Sequence, residues 1–203
     1  MESLVYVVDD DPDVCKALAR LLGSEGFRVA ISHSTQAFLA SHDPGIPACI
    51  VLDLAMPGMT GLELQACLQE NGVRCPVIFL TGHGDIQSSV RAMKAGAMDF
   101  LTKPVDAEAL LQAVRQALDL DEAAHRNARQ QQDARALFET LTPREKELVP
   151  YLLTGRLNKQ IAGDLGIAEK TIKVHRSRVM HKLGVRTPVE LLAFLERSGL
   201  RRD

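Results

Sequence analysis

Five polar side chains interrupt an otherwise apolar pattern: Asp9, Asp10, Asp53, Thr81 and Lys103 each stand just beyond the C-terminal end of a short apolar run. Gathered in one place, the three carboxylates would repel one another strongly unless a cation joined them. A hard divalent ion with oxygen ligands is the natural partner, and Mg2+ is the abundant one in cytoplasm. Thr81 and Lys103 add a hydroxyl donor and a fixed positive charge.

A parallel sheet would bring them together. Apolar runs recur at Leu4 to Val8, Val29 to Ile31, Ala48 to Leu52, Val77 to Leu80 and Met98 to Leu101, each followed by a segment of helix-like spacing. Runs such as LVYVV, ACIVL and VIFL are apolar at every position, which predicts strands of an α/β sandwich covered by helices on both faces. Ligands bind such a sheet at the carboxyl ends of its strands. If the first and third strands are neighbours, Asp9, Asp10 and Asp53 converge there. Asp11 before Pro12, Gly26 after Leu21 to Glu25, and Gly72 after Leu62 to Asn71 are matching helix start and stop signals.

The chain of 203 residues has room for two small domains. It is 46% hydrophobic and 25% charged, with no apolar run near the length of a membrane span. The N-terminal MESLVYVVDDD lacks a cleavable signal pattern, so a cytoplasmic location is expected. Cys15, Cys49, Cys67 and Cys75 form no metal-binding spacing and predict reduced, mostly buried thiols. The net charge of −2 conceals an asymmetry: residues 1–120 carry 15 acids and 8 bases, residues 138–203 carry 8 acids and 13 bases. The two halves therefore face different partners. Residues 121–137 (DEAAHRNARQQQDARAL) hold too few large apolar side chains for a core and predict a helical or flexible linker.

Across residues 4–118 the sequence resembles the receiver domain family, through VVDDD, LDLAMPGMTG, LTGHG and DFLTKP in that order. The resemblance implies a five-stranded parallel sheet in the flavodoxin-like order 2-1-3-4-5. It also implies that Asp53 is the phosphoryl acceptor, a carboxylate nucleophile. Asp10, Asp53 and the backbone carbonyl of Ala55 would bind Mg2+, with Asp9 in the acid pocket orienting metal or water. Thr81 and Lys103 would bond the phosphoryl oxygens. Phe100, three positions before the lysine, would be the aromatic switch partner of Thr81, acting through packing alone because it lacks a hydroxyl. The Lys103–Pro104 bond is expected to be cis, and the surface of residues 84–118 to form a dimer face. His83 is placed where it would influence hydrolysis of the aspartyl phosphate or serve as an ordinary loop histidine; His33 and His42 read as surface residues.

From residue 139 the strand-like runs stop and short helices follow. Thr142-Pro143-Arg144-Glu145 and Thr187-Pro188-Val189-Glu190 both read as capping boxes with proline at the first helical position. Asn158 to Leu165 and Glu169 to Leu183, joined by Gly166-Ile167-Ala168, have helix-turn-helix spacing within an all-α four-helix domain. On the longer helix Ile172, Val179, Leu183 and the stem of Arg176 make one stripe. Lys170, Lys173, Val174, Ser177 and His181 make another, which is predicted to be exposed and suited to the major groove.

Residues 141–198 resemble the LuxR/NarL/FixJ type of helix-turn-helix, through LTPREKEL and NKQIAGDLGIAEKTIKVHRSRVMHKLGVRT. By that resemblance Lys173, Val174 and Ser177 read bases. Asn158, Lys159, Thr171, His175, Arg176, Arg178 and Lys182 are phosphate-contact or supporting residues, and Lys170 of the exposed stripe is a further DNA-binding residue. Two departures stand out. Pro150 lies within the expected helix Pro143 to Leu153, where a kink or early break is expected. Ala168 replaces a hydroxyl-bearing cap before the recognition helix.

Together the halves resemble a two-component response regulator of the FixJ/NarL family. The implied organisation is a receiver (1–120), a linker (121–138) and a DNA-binding domain (139–203). The implied partners are promoter DNA, a cognate sensor histidine kinase, a second copy of the chain upon phosphorylation, and RNA polymerase, with no membrane and no enzymatic turnover. A rival reading is a phosphohydrolase using Asp53 as nucleophile. Such an enzyme usually carries a proton-donating acid two residues on, where this chain has Ala55. Another rival is a constitutive DNA-binding protein whose receiver only docks.

Overall fold

The computed structural model describes residues 3–82 and 86–200, with the side chains of 86–88 outside the description. In the first half five strands alternate with helices: β1 (Leu4–Val8), α1 (Pro12–Ser24), β2 (Arg28–Ser32), α2 (Thr35–Ser41), β3 (Ala48–Asp53), α3 (Gly61–Glu70), β4 (Val77–Thr81), α4 (Ile86–Lys94), β5 (Asp99–Thr102) and α5 (Ala107–Glu139). The strands pair in parallel in the order β2-β1-β3-β4-β5.

The uninterrupted apolar runs follow from this arrangement, because successive side chains of a strand point to opposite faces and both faces are covered. Val5, Val7, Cys49, Val51, Ile78 and Leu80 pack with Leu18 and Leu22 of α1 and with Leu110, Val114 and Leu118 of α5. Their neighbours Tyr6, Val8, Ile50, Leu52 and Phe79 pack on the other face with Phe38 of α2, Leu64 and Leu68 of α3, and Ala92 of α4.

Asp11 caps α1 as expected, accepting from the amides of Asp13 and Val14. All four cysteines are free. Cys15 and Cys49 are buried, and burial is the first cause that pushes their thiols up to about 11 and about 12 respectively. His33 is exposed. His42, expected at the surface, is half-buried and packs at 5.2 and 5.5 Å from the rings of Phe38 and Tyr6. A short polar loop hides that contact from the sequence, since Phe38 reaches His42 across one helical turn.

The stretch expected as a helical or flexible linker is helical: α5 continues unbroken for 33 residues, about 50 Å at 1.5 Å per residue. Its buried positions Leu110, Ala113, Val114, Ala117, Leu118 and Asp121 keep a three-and-four spacing, and every residue from 126 to 133 is exposed. The chain divides into two compact units between His125 and Arg126.

The second unit contains α6 (Pro143–Leu153), α7 (Asn158–Leu165), α8 (Glu169–Lys182) and α9 (Pro188–Ser198). Its core is Leu148, Leu152, Ile161, Ile172, Val179, Leu183, Leu191, Phe194 and Leu195. Two expectations need correction. Pro150 does not break α6, which runs through it. The proline is exposed, so the carbonyl of Lys146 that loses its partner lies on the side where water can satisfy it. The capping box at α6 is complete, but the one at α9 is half-formed. Thr187 accepts from the Glu190 amide, whereas the Glu190 carboxylate takes the Arg186 amide instead of that of Thr187.

Among the described residues no helix is long and apolar enough to cross a membrane.

Candidate functional site

The register brings the polar residues to one edge. Val8 pairs with Leu52 and Thr81 with Thr102, so Asp9, Asp53, Thr81 and Lys103 occupy the carboxyl ends of four adjacent strands. Asp9, Asp53 and Thr81 are buried, at 1%, 6% and 4% exposure. Lys103 reaches between the two carboxylates: its Nζ is 2.6 Å from Asp9 Oδ2 and 2.6 Å from Asp53 Oδ1. The other oxygens are also engaged. Asp53 Oδ2 accepts from the Ala55 amide at 2.8 Å, and Asp9 Oδ1 from the Asp11 amide at 2.9 Å. Burial alone would lower the Lys103 ammonium's pKa, but its bonds to Asp53 and Asp9 outweigh that and raise it. The lysine is therefore held as a cation.

Lys103 is aimed by its backbone. Its amide donates to the Thr81 carbonyl at 2.7 Å, and the peptide bond to Pro104 is cis, as expected. Phe100 is half-buried and tilted against Phe79 with ring centroids 6.4 Å apart, which puts it on the same face of the sheet as the α3 and α4 packing. His83 lies outside the described residues.

The three carboxylates do not form one cluster. Asp10 is exposed, and among the described residues no three acidic, histidine or cysteine side chains gather closely enough to hold a metal by themselves. The expected convergence reduces to a buried pair, Asp9 and Asp53, with an ammonium already between them. This still fits Mg2+, because every donor is an oxygen, the pair demands a positive charge, and Mg2+ keeps several waters instead of requiring a protein cage.

Gly61 is a functional residue that the sequence alone does not single out. It opens α3 directly behind the acceptor, and a Cβ there would lie 2.5 Å from the Asp53 carbonyl oxygen and 2.9 Å from the Phe79 ring. The only signal in the sequence is the glycine ending LDLAMPGMTG. Gly61→Ala is expected to lower stability by about 1–3 kcal/mol, read as an earlier urea midpoint, with Asp53 displaced. An unchanged midpoint would show that the backbone can yield.

In the second unit, Lys159, Lys170, Thr171, Lys173, Val174, Ser177 and Arg178 are exposed. Ile172 and Val179 on the opposite side of α8 are buried. Ala168 caps α8 without a side-chain bond. Three of the expected contact residues on α8 are turned into the fold. Arg176 donates to Asn158 Oδ1 at 3.4 Å, linking α8 to α7. His175 is half-buried beside a cavity of about 210 Å³ between α6, α7 and α8.

The third, Lys182, pairs with Glu145 at 2.7 Å and donates to the Thr140 carbonyl at 2.9 Å. Glu145 is 1% exposed and also accepts from the Thr142 amide, so the complete capping box of α6 is tied to the last turn of α8. The Lys182 bond is the main cause holding the Glu145 carboxyl below its usual range. A depressed carboxyl contributes stability above its unfolded value and loses it as pH falls through the folded one. Lys182→Met is thus expected to cost this unit about 1.5–3 kcal/mol near neutral pH, and the deficit should shrink in acid as Glu145 protonates. A deficit independent of pH would refute the pairing.

Comparison with known proteins agrees with both units. The family described as response regulator receiver domain matches residues 5–115, and the family described as bacterial regulatory proteins, luxR family, matches residues 139–195. The response regulator protein TmoT of Ectopseudomonas mendocina is 44% identical over 97% of this chain and 89% of its own. The transcriptional regulatory protein FixJ of Rhizobium meliloti is 39% identical over 96% of both chains. Among solved structures, that of the response regulator StyR has a TM-score of 0.90 at 46% identity, covering 97% of this chain and all of its own. Full-length FixJ from B. japonicum has a TM-score of 0.58 at 35% identity, covering 98% of each chain. A phosphoryl-type acidic edge on a receiver sheet, followed by a luxR-type helical unit, makes this chain a member of the two-component response regulators that act as transcription regulators.

Proposed function

We propose that Asp53 takes a phosphoryl group from a sensor histidine kinase and that this controls sequence-specific DNA binding by the C-terminal unit. The observation that carries the reading is Lys103 bridging Asp9 and Asp53 at 2.6 Å each. An ammonium held there is positioned for the charge that builds on the phosphoryl oxygens as an Asp53 O–P bond forms and the P–N bond of a phosphohistidine breaks. Asp9, Asp53 and the Ala55 carbonyl would hold Mg2+, with Asp10 joining them only by turning in from its exposed position; the ion supplies additional charge to the phosphoryl oxygens when bound. Thr81, buried at the end of the adjacent strand, donates its hydroxyl to the phosphoryl group. The space it vacates is taken by Phe100.

Val90 and Met93 of α4, at 45% and 47% exposure, belong to the face through which two receivers would pair. The functional boundaries follow the same reading: receiver 1–120, linker 121–138 and DNA-binding domain 139–203. Lys173, Val174 and Ser177 read base edges. Lys159, Lys170, Thr171 and Arg178 contact phosphates, while Asn158, His175, Arg176 and Lys182 support the helix that carries them. The chain acts in the cytoplasm with promoter DNA and RNA polymerase, and catalyses no turnover of its own.

Gel-shift titration tests this on duplexes selected from a random pool, with the full chain in Mg2+ and with or without acetyl phosphate. Pairing adds avidity, so phosphorylation should tighten binding at least about tenfold. Equal affinity under both conditions would defeat the reading.

A further inference from the structure

The last turn of α5 within the first unit carries a buried carboxylate that plays no part in phosphoryl chemistry or DNA contact. Asp121 is 3% exposed. Its Oδ2 accepts from the amide of Ala48, the first residue of β3, at 2.8 Å and lies 3.2 Å from His125 Nδ1. The same Nδ1 is 3.0 Å from the Asp121 backbone carbonyl, and His125 Nε2 is 3.1 Å from the carbonyl of Pro44. Both ring nitrogens thus face oxygen acceptors. A neutral imidazole has one N–H and can serve only one side; the imidazolium serves both. The unit ends immediately after His125, and the following eight residues of α5 are exposed, so the pair sits where the helix ceases to be buried against this unit.

We propose that Asp121 and His125 form a proton-operated latch that fastens the exit of α5 to the 42–48 segment while His125 is an imidazolium and loosens when His125 becomes neutral.

The groups around the pair are consistent with this assignment. Asp121 faces His42 from the end of α2, Cys49 from β3 and Cys75 before β4, with Arg74 lining the same cavity. Asp43 acts on His42, and Glu122 on α5 accepts a bond from Ser3. Arg126 follows His125 in the chain. Burial would lower the pKa of His125, but the two carbonyls and the Asp121 carboxylate outweigh it and raise it above 6.5. Burial lowers the pKa of His42 instead, so between the two values His42 is neutral while His125 is charged. Burial is the main cause that raises Asp121, against the Ala48 amide and the two histidines. A raised histidine contributes stability that is complete below its unfolded value and is lost as pH rises through the folded one. The latch is therefore closed between the raised Asp121 value and the raised His125 value, and opens on the alkaline side.

Hydrogen exchange of the full chain tests this, reading amides 119–130 from about pH 6 to about pH 9 and correcting for intrinsic exchange, with His125 titration followed by its ring nitrogen shifts. Protection should fall by a factor on the order of ten as His125 loses its proton. His125→Gln keeps a donor and an acceptor but loses the charge and should give a pH-independent profile; Asp121→Asn removes the carboxylate but leaves both carbonyls on the imidazole and should give a shallower slope, while His42→Gln should keep the wild-type slope. A single cooperative melting transition near pH 6 would show that the variants fold. Flat wild-type protection, a slope persisting in His125→Gln, or a slope abolished in His42→Gln would each overturn the latch.

Discussion

Asp53→Asn should take up no covalent phosphate from acetyl phosphate and Mg2+ while wild type gains the mass of one phosphoryl group. The asparagine amide keeps the shape of the side chain, and its oxygen can still accept from the Ala55 amide, the 2.8 Å bond that orients Asp53. What it loses is the anionic oxygen that attacks phosphorus. The fold should survive, because Lys103 retains its bond to Asp9. Intact-mass measurement and a melting curve on the same samples separate loss of the acceptor from loss of the fold. Undiminished uptake by a folded Asp53→Asn variant would move the acceptor elsewhere.

Lys103→Ala is expected to have the largest effect on stability. The Asp9 and Asp53 side chains are only 2% and 7% exposed, and they would face each other with no cation between them. Removing one partner from a buried ionic contact costs about 3–5 kcal/mol, on the order of the repulsion between two charges about 4 Å apart at an effective dielectric of about 20. At about 2–4 °C per kcal/mol for a chain of this size, the melting temperature in chelator should fall clearly. Mg2+ should then stabilise the variant more than wild type, because the freed carboxylate pair is the better cation site and a ligand stabilises in proportion to its affinity. A variant that melts like wild type in chelator would mean the pair is not charged in the folded protein.

Much of this is legible in the sequence where periodicity and position reinforce each other. The runs LVYVV and ACIVL announce strands buried on both faces, and the polar residues that end them mark the active edge. The details that escape depend on contacts between residues distant in the chain. Nothing local distinguishes Asp10, which is exposed, from its neighbour Asp9, which is buried. Lys182 reads as a phosphate contact because it is a lysine on the recognition helix, yet its partner Glu145 lies 37 positions earlier. Pro150 looks disruptive because the sequence does not say which side of α6 faces water. Gly61 is hidden for a similar reason: its need for a bare Cα comes from the backbone of Asp53 pressed against it.

Strand β3 has a different environment at each end. Its first residue, Ala48, gives its amide to Asp121, and its last is Asp53. Five steps along a strand separate them by about 17 Å, well beyond the roughly 7–10 Å within which substitutions couple. Sites that far apart with no shared partner respond to substitution almost additively. A lineage can therefore retune the exit of α5 at one end of the strand while selection holds the acceptor fixed at the other, so that the two traits diverge separately despite sharing six residues of backbone.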